Sequence, residues 1–149
     1  MASSSHPRPI TWPARSRRST MSSSRQLFSS GSVWEPIAGY SRAVRVGQQV
    51  FISGTTASSP EGAVGETAGE QAREILTRLT ATLEQAGARL DHVVRTRMYL
   101  TSAEDFDAVT RVHGEFFGDI RPASTALVVS ALVEPDLLVE IELDAVIHD

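Results

Sequence analysis

Apolar residues recur along this chain with two different periods, and each change of period marks a new element. AVRVG and QQVFISG alternate around Gly47, which predicts an antiparallel strand pair over residues 43–47 and 49–54. The stretch GTTASSPEGAVG breaks the alternation with Gly, Ser and Pro and reads as a loop. The spacing then lengthens. Ala72, Ile75, Leu76, Leu79, Leu83 and Ala86 form one helical stripe, opened by a Thr67/Glu70 capping box and closed at Gly87. HVVRTRMYLT returns to β-branched and aromatic residues and predicts a strand over 92–100. A second helix is expected over 103–117, with Ser102 and Asp105 as its start signal and Phe106, Val109, His113, Phe116 and Phe117 as its apolar face. Two closing strands, 124–132 and 138–146, flank a turn containing Glu134, Pro135 and Asp136.

The order ββαβαββ predicts an α+β fold, a single sheet with both helices packed on one face. Val128, Leu132, Val139 and Ile141 suggest that the other face is apolar in places, which calls for a partner and hence an oligomer. Residues 1–33 show no apolar period, are rich in Ser, Arg and Pro, and are expected to be disordered ahead of a domain over 34–149. An acid-free, Arg- and Ser-rich start fits an organelle leader. The Lys-free, Arg-only composition of a high-GC bacterial chain fits an upstream extension better, with Met21 as an alternative start.

Composition narrows the chemistry. Five arginines and no acid precede residue 26, leaving 9 arginines against 18 acids from Gln26 onward, a net −9. Such a body repels phosphate backbones, so no nucleic-acid partner is expected. The absence of Cys removes thiol nucleophiles, disulfides and Cys-ligated metals, and the absence of Lys removes Schiff-base chemistry. His6, His92, His113 and His148 show no metal-ligand spacing, so neither a metal nor another cofactor is expected. No run of 18 apolar residues occurs, so the expectation is a soluble, cytoplasmic protein without a membrane partner.

Three places gather polar groups at strand ends: Tyr40, Ser41 and Arg42; Ser53, Gly54, Thr55 and Thr56; and the closing strands, with Ser124 and Thr125 on one and Glu140 and Glu142 on the other. Each has a plain alternative in packing, turn satisfaction or a solvated edge. For Glu140 that alternative weakens, because Val139, Ile141, Leu143 and Val146 mark a well-buried strand, where a carboxylate needs a partner or a function. Arg97, mid-strand, reads first as half of an ion pair, and His113 as a core histidine.

These residues carry a resemblance. GYSRAVRVGQQVFISGTT, EQAREILTRLTATLEQAGARLDHVVRTRMYL, DFDAVTRVHGEFFGDIRPAS and VEIELDAV follow, in order and spacing over residues 35–147, the Rid family of enamine/imine deaminases, also known as YjgF-like or endoribonuclease L-PSP. The resemblance implies a chorismate-mutase-like homotrimeric barrel with three clefts, each lined by two subunits and open to a small molecule. It implies that Tyr40, Ser53, Gly54 and the last-strand Glu140 belong to the cleft, with Glu140 positioning the hydrolytic water. The family's cleft arginine, which holds the carboxylate of a 2-imino acid, is replaced by Ser124. Its helix asparagine is Thr110, a following aromatic is His113, and a proline is Val133.

A hydroxyl cannot reproduce a bidentate guanidinium. Arg121 lies at an odd offset and points to the opposite strand face. The expected function is therefore hydrolysis of an imine or enamine, or a related hydration or tautomerisation of a small carbonyl compound, on substrates other than the standard 2-imino acids. Glu140 serves as acid/base with Tyr40 beside it, and Ser53, Gly54, Thr55, Thr110, Ser124, Thr125 and Arg97 are candidates for the substrate. The alternatives are a non-catalytic trimer that binds a metabolite and, against the charge of the body, a ribonuclease.

Overall fold

A computed structural model describes residues 25–149. The expected disorder of residues 1–24 lies outside them. One six-stranded sheet carries the fold, in the order β1 (Gln26–Phe28), β2 (Ala43–Val46), β3 (Gln49–Thr55), β6 (Val139–Val146), β4 (Val93–Leu100), β5 (Ala123–Val128). All neighbours are antiparallel except β4 and β5. Helices α2 (Ala68–Gln85) and α3 (Phe106–Phe117) follow β3 and β4, so the predicted ββαβαββ order stands, preceded by β1 and a short helix α1 (Trp34–Ala38).

The capping box of α2 forms as its sequence dictates. The Glu70 amide donates to Thr67 Oγ1 at 3.2 Å, and Glu70 Oε2 accepts from the amides of Glu66 and Thr67 at 2.8 and 3.4 Å. A cap of this kind contributes about 1 kcal/mol. The stripe Ala72, Ile75, Leu76, Leu79 and Leu83 has no exposed area and packs with Ile52, Met98, Val139, Ile141 and Leu143 of the sheet in one core. Gly87, at φ +83°, ends the helix in the left-handed region that disfavours side chains.

Three expectations need correction. The sheet starts at Gln26, upstream of the boundary placed at residue 34, because Gln26, Leu27 and Phe28 pair with Arg45, Val44 and Ala43. The strand expected over 124–132 ends at Val128, since its ladder partner β4 ends at Leu100. Val139 and Ile141 are fully buried in the helix-covered core rather than on the second face. That second face carries the alternate residues of β6, and there Arg97 pairs with Asp144 at 3.4 Å while the Tyr99 hydroxyl bonds Glu142. Val128 is exposed on the edge strand.

Among the described residues no helix is long and apolar enough to cross a membrane.

Candidate functional site

Five segments and Glu140 surround an open cavity of about 1030 Å³. The segments are the Ser29–Ser32 loop with Trp34, the Tyr40–Arg42 approach to β2, the end of β3 with its following loop, the side of α2 around Arg78 and Thr82, and Val133 with Glu134 ahead of β6. Each wall has a local cause. Buried Glu35, in α1, accepts from the Ser30 amide at 3.1 Å, the Ser30 hydroxyl at 2.7 Å and the Ser32 amide at 3.3 Å, folding the serine loop back over the sheet. These bonds, the Ser30 hydroxyl foremost, hold the Glu35 carboxyl below the ordinary carboxylate range.

The Arg78 guanidinium donates to the carbonyls of Thr56 and Ser58 at 2.9 and 2.8 Å and to Glu74 at 2.9 Å, fastening the loop after β3 to α2. Gln71, 1% exposed, does the same for the approach to β6. Its amide nitrogen donates to the carbonyls of Gly65 and Asp136 at 3.1 and 2.9 Å, and its oxygen accepts from the Leu138 amide at 2.9 Å. Asp136 and Leu138, on the approach to Glu140, are thus set by a buried side chain whose amide nitrogen and oxygen are both hydrogen-bonded.

Glu140 is half-buried, and burial pushes its carboxyl above the ordinary range. The like charge of Glu142 pushes the same way, and the Arg42 guanidinium opposes both. Gly54 makes the close approach possible. A Cβ there would lie 2.9 Å from both Cδ and Oε2 of Glu140, so the carboxylate occupies the space a side chain would take. Arg42 stands opposite. Its Nη1 donates to the Gly54 carbonyl at 2.7 Å, to Thr55 Oγ1 at 2.9 Å and to the Ser53 carbonyl at 3.2 Å, and its guanidinium carbon lies 5.9 Å from the centre of the Tyr40 ring.

Of the residues singled out from sequence, Tyr40, Arg42, Gly54, Thr55, Thr56, Val133, Glu134 and Glu140 line this cavity together. Ser53 adjoins it, but its hydroxyl donates to the Ser41 carbonyl at 2.7 Å and so fixes the Tyr40–Arg42 segment. Arg78 was not singled out, and Arg42 was named with its strand-end neighbours but given no role. Under period two Arg42 shares the side of Tyr40, and that was the available signal.

The other candidates form a second group, on β4, β5 and α3. Thr96, fully buried, donates to Ser124 Oγ at 2.8 Å and is hydrogen-bonded to His113 Nε2 at 2.8 Å, a continuous chain from α3 to the edge strand. Burial lowers the His113 imidazole below its ordinary value, which favours the neutral ring. Thr125 is exposed on β5, Arg97 is paired with Asp144, and Thr110 Oγ1 donates back to the carbonyls of Phe106 and Asp107 at 2.8 and 3.1 Å. None of these residues lines the Glu140 cavity within one chain. Among the described residues no group of His, Asp and Glu is arranged to hold a metal ion.

With this fold and cavity in view, comparison with known proteins is direct. The family described as endoribonuclease L-PSP matches residues 30–147. A crystal structure of a member of the YjgF family from Mycobacterium tuberculosis is 47% identical, superposes with a TM-score of 0.77, and the match covers 83% of this chain and 100% of that one. A RutC family protein of Pyrococcus abyssi is 38% identical over 72% of this chain and 86% of its own length. A 2-iminobutanoate/2-iminopropanoate deaminase of Dermatophagoides farinae is 31% identical over 85% of this chain and 99% of its own. The chain belongs to the endoribonuclease L-PSP family, the YjgF/RutC or Rid group, as its residues implied.

Proposed function

We propose that this protein hydrolyses an imine or enamine of a small carbonyl compound, with Glu140 activating the water. The observation that carries this reading is the Glu140 carboxylate itself, half-buried against Gly54 in an open cavity, with its proton affinity raised by burial. A carboxylate in that state is a better base than a solvated one, and general-base help of this kind contributes about 10²–10⁴-fold. The Tyr40 hydroxyl is the donor at hand to polarise the C=N group, whereas the Thr55 hydroxyl already donates to the Ser53 carbonyl at 3.0 Å. Water adds to the carbon, Glu140 takes its proton and passes it to nitrogen, and the carbinolamine releases ammonia to leave the carbonyl. The deaminase named among the relatives supports the reaction class.

The second group of residues, Ser124 with Thr96 and His113, fits a role across a subunit boundary. The homotrimer implied by the resemblance would bring this edge of one subunit to the cavity of its neighbour. With Ser124 at the position of the family's cleft arginine, the standard 2-imino acids lose the charge that holds them there. The substrate is therefore expected to be a different imine or enamine. Ammonia release from 2-iminopropanoate and 2-iminobutanoate made in situ, alongside a broader imine panel, tests both statements. Turnover of those two at the rate of an established deaminase refutes the role given to Ser124, and no turnover of any imine refutes the reaction. Sedimentation tests the assembly, and a stable monomer refutes the shared cleft. A non-catalytic metabolite binder is the second reading, favoured by the open 1030 Å³ cavity together with Ser124 at the clamp position.

A further inference from the structure

The guanidinium of Arg42 is only partly used by the fold. Its three protein acceptors, the carbonyls of Ser53 and Gly54 and the hydroxyl of Thr55, all bind Nη1. Nε and Nη2 have no partner among the described residues, and neither does the side chain form an ion pair there. Four other arginines differ. Arg73, Arg78, Arg97 and Arg111 each pair with a carboxylate. Arg42 instead lines the cavity beside Glu140, near enough for its charge to be felt there, yet outside ion-pair range of it. The donors left over, Nε–H and one Nη2–H, are the edge with which a guanidinium takes a carboxylate in two parallel bonds.

Three tethers on Nη1 and the Tyr40 ring alongside limit the orientations of that edge. A cation held in this way loses little further entropy on binding an anion, and its partner cavity is too open to have expelled water completely.

We propose that Arg42 is an anion subsite of the Glu140 cavity, binding the acid group of a carboxylate-bearing substrate from within the same subunit. The positive charge absent at position 124 is then supplied by Arg42 within the same subunit, and the substrate is an anionic imine or carbonyl compound held in a different orientation. This inference takes its reacting carbon from the Glu140 reading, but the subsite itself can be tested without catalysis.

The probes are 2-, 4- and 5-oxo acids and their neutral amides, with binding measured by calorimetry on the full chain. At least one oxo acid is expected to bind about tenfold or more tightly than its amide, since a charged bidentate contact adds about 1.4 kcal/mol or more over a neutral one. Arg42→Gln should erase that preference, and Arg42→Lys, which keeps the charge without the fork, should keep only part of it. Equal binding of every acid and its amide, no acid binding at all, or a preference that survives Arg42→Gln overturns the proposal. The acid-against-amide comparison on the unaltered protein needs no variant, so it holds even where loss of the Nη1 tethers unfolds Arg42→Gln. In Glu140→Gln the preference should persist while turnover is lost. If the preference persists and the unaltered protein hydrolyses no imine, the subsite stands and the reaction assignment falls.

Discussion

Replacing Gly54 by alanine probes the site at its tightest point. The new Cβ would stand 2.9 Å from Cδ and Oε2 and 3.3 Å from Cγ of Glu140, whereas ordinary contact begins at 3.4 Å. The carboxylate must retreat by about 0.5 Å or more, and misplacement of a reacting group on the order of 1 Å can cost about 10²-fold in rate. The atoms that must move are the far end of a flexible side chain, and Gly54 is not in the left-handed region, so the backbone has no reason to shift. Loss of glycine's freedom in the unfolded chain stabilises by about 0.4–1 kcal/mol, which offsets part of the crowding. Gly54→Ala should therefore melt within a few degrees of the unaltered protein and lose roughly 30- to 100-fold in kcat/KM for imine hydrolysis. The assay pairs ammonia release with a thermal melt. Full activity in a well-folded Gly54→Ala protein would refute the placement of Glu140 at the reacting centre. A large loss of stability would refute the claim that only the carboxylate has to move.

Other expectations follow from the same geometry. The acid limb of the kcat/KM profile should lie above the ordinary carboxylate range, because the raised Glu140 must be deprotonated to act; it should move to higher pH in Arg42→Gln, which removes a cation that lowers it, and to lower pH in Glu142→Gln, which removes a like charge. Glu35 is held below the ordinary range, so its contribution to stability is present above the unfolded carboxylate value and is lost as pH falls through the folded one; Glu35→Gln should lower Tm at pH 7 and converge with the unaltered protein in acid. Gln71→Leu leaves the Gly65 and Asp136 carbonyls and the Leu138 amide without their buried partner and should cost about 2–4 kcal/mol in denaturant unfolding. Thr96→Val breaks the His113–Thr96–Ser124 chain at its middle and should cost about 1–3 kcal/mol in the same assay.

Where the chain spells out long periods, the fold was legible. The α2 stripe and its capping box and the pairing of β2 with β3 around Gly47 follow from local pattern, and so do Val109 and Phe117 of α3, although Phe106, expected on that face, is exposed and Val112, not expected there, is buried. What escaped was short or decided by partners. β1 is three residues long, too few to show a period, and is held by pairing with β2. The apolar residues after Val128 look like strand, but with β4 finished at Leu100 the ladder has no further partner beyond a single bond from the Val129 amide to the Leu100 carbonyl at 2.8 Å. The two faces of β6 were misjudged because Val139 and Ile141 were read as apolar surplus rather than as the core side of an alternating strand.

The candidate site divides in the same manner. Half-burial of Glu140 could be read from its apolar neighbours, and Tyr40, Gly54 and Thr55 from polar groups at strand ends. The role of Arg42 could not, because its standing depends on which of its nitrogens the β3 carbonyls occupy, and that is visible only in three dimensions. Ser124, Thr125, Thr110 and Arg97 lie away from the cavity of their own chain, and a pattern read along one chain does not say which of its residues share a cavity.

The central claim is that Glu140 is the base that activates water on a C=N bond. Its most direct test is kcat/KM for ammonia release by Glu140→Gln, measured on the best substrate of the imine panel with the fold and assembly verified. The account predicts a loss of about 10²–10⁴-fold with Tm unchanged or raised, since the glutamine removes an ionisable group that burial disfavours. A Glu140→Gln protein that turns over at the unaltered rate would contradict it.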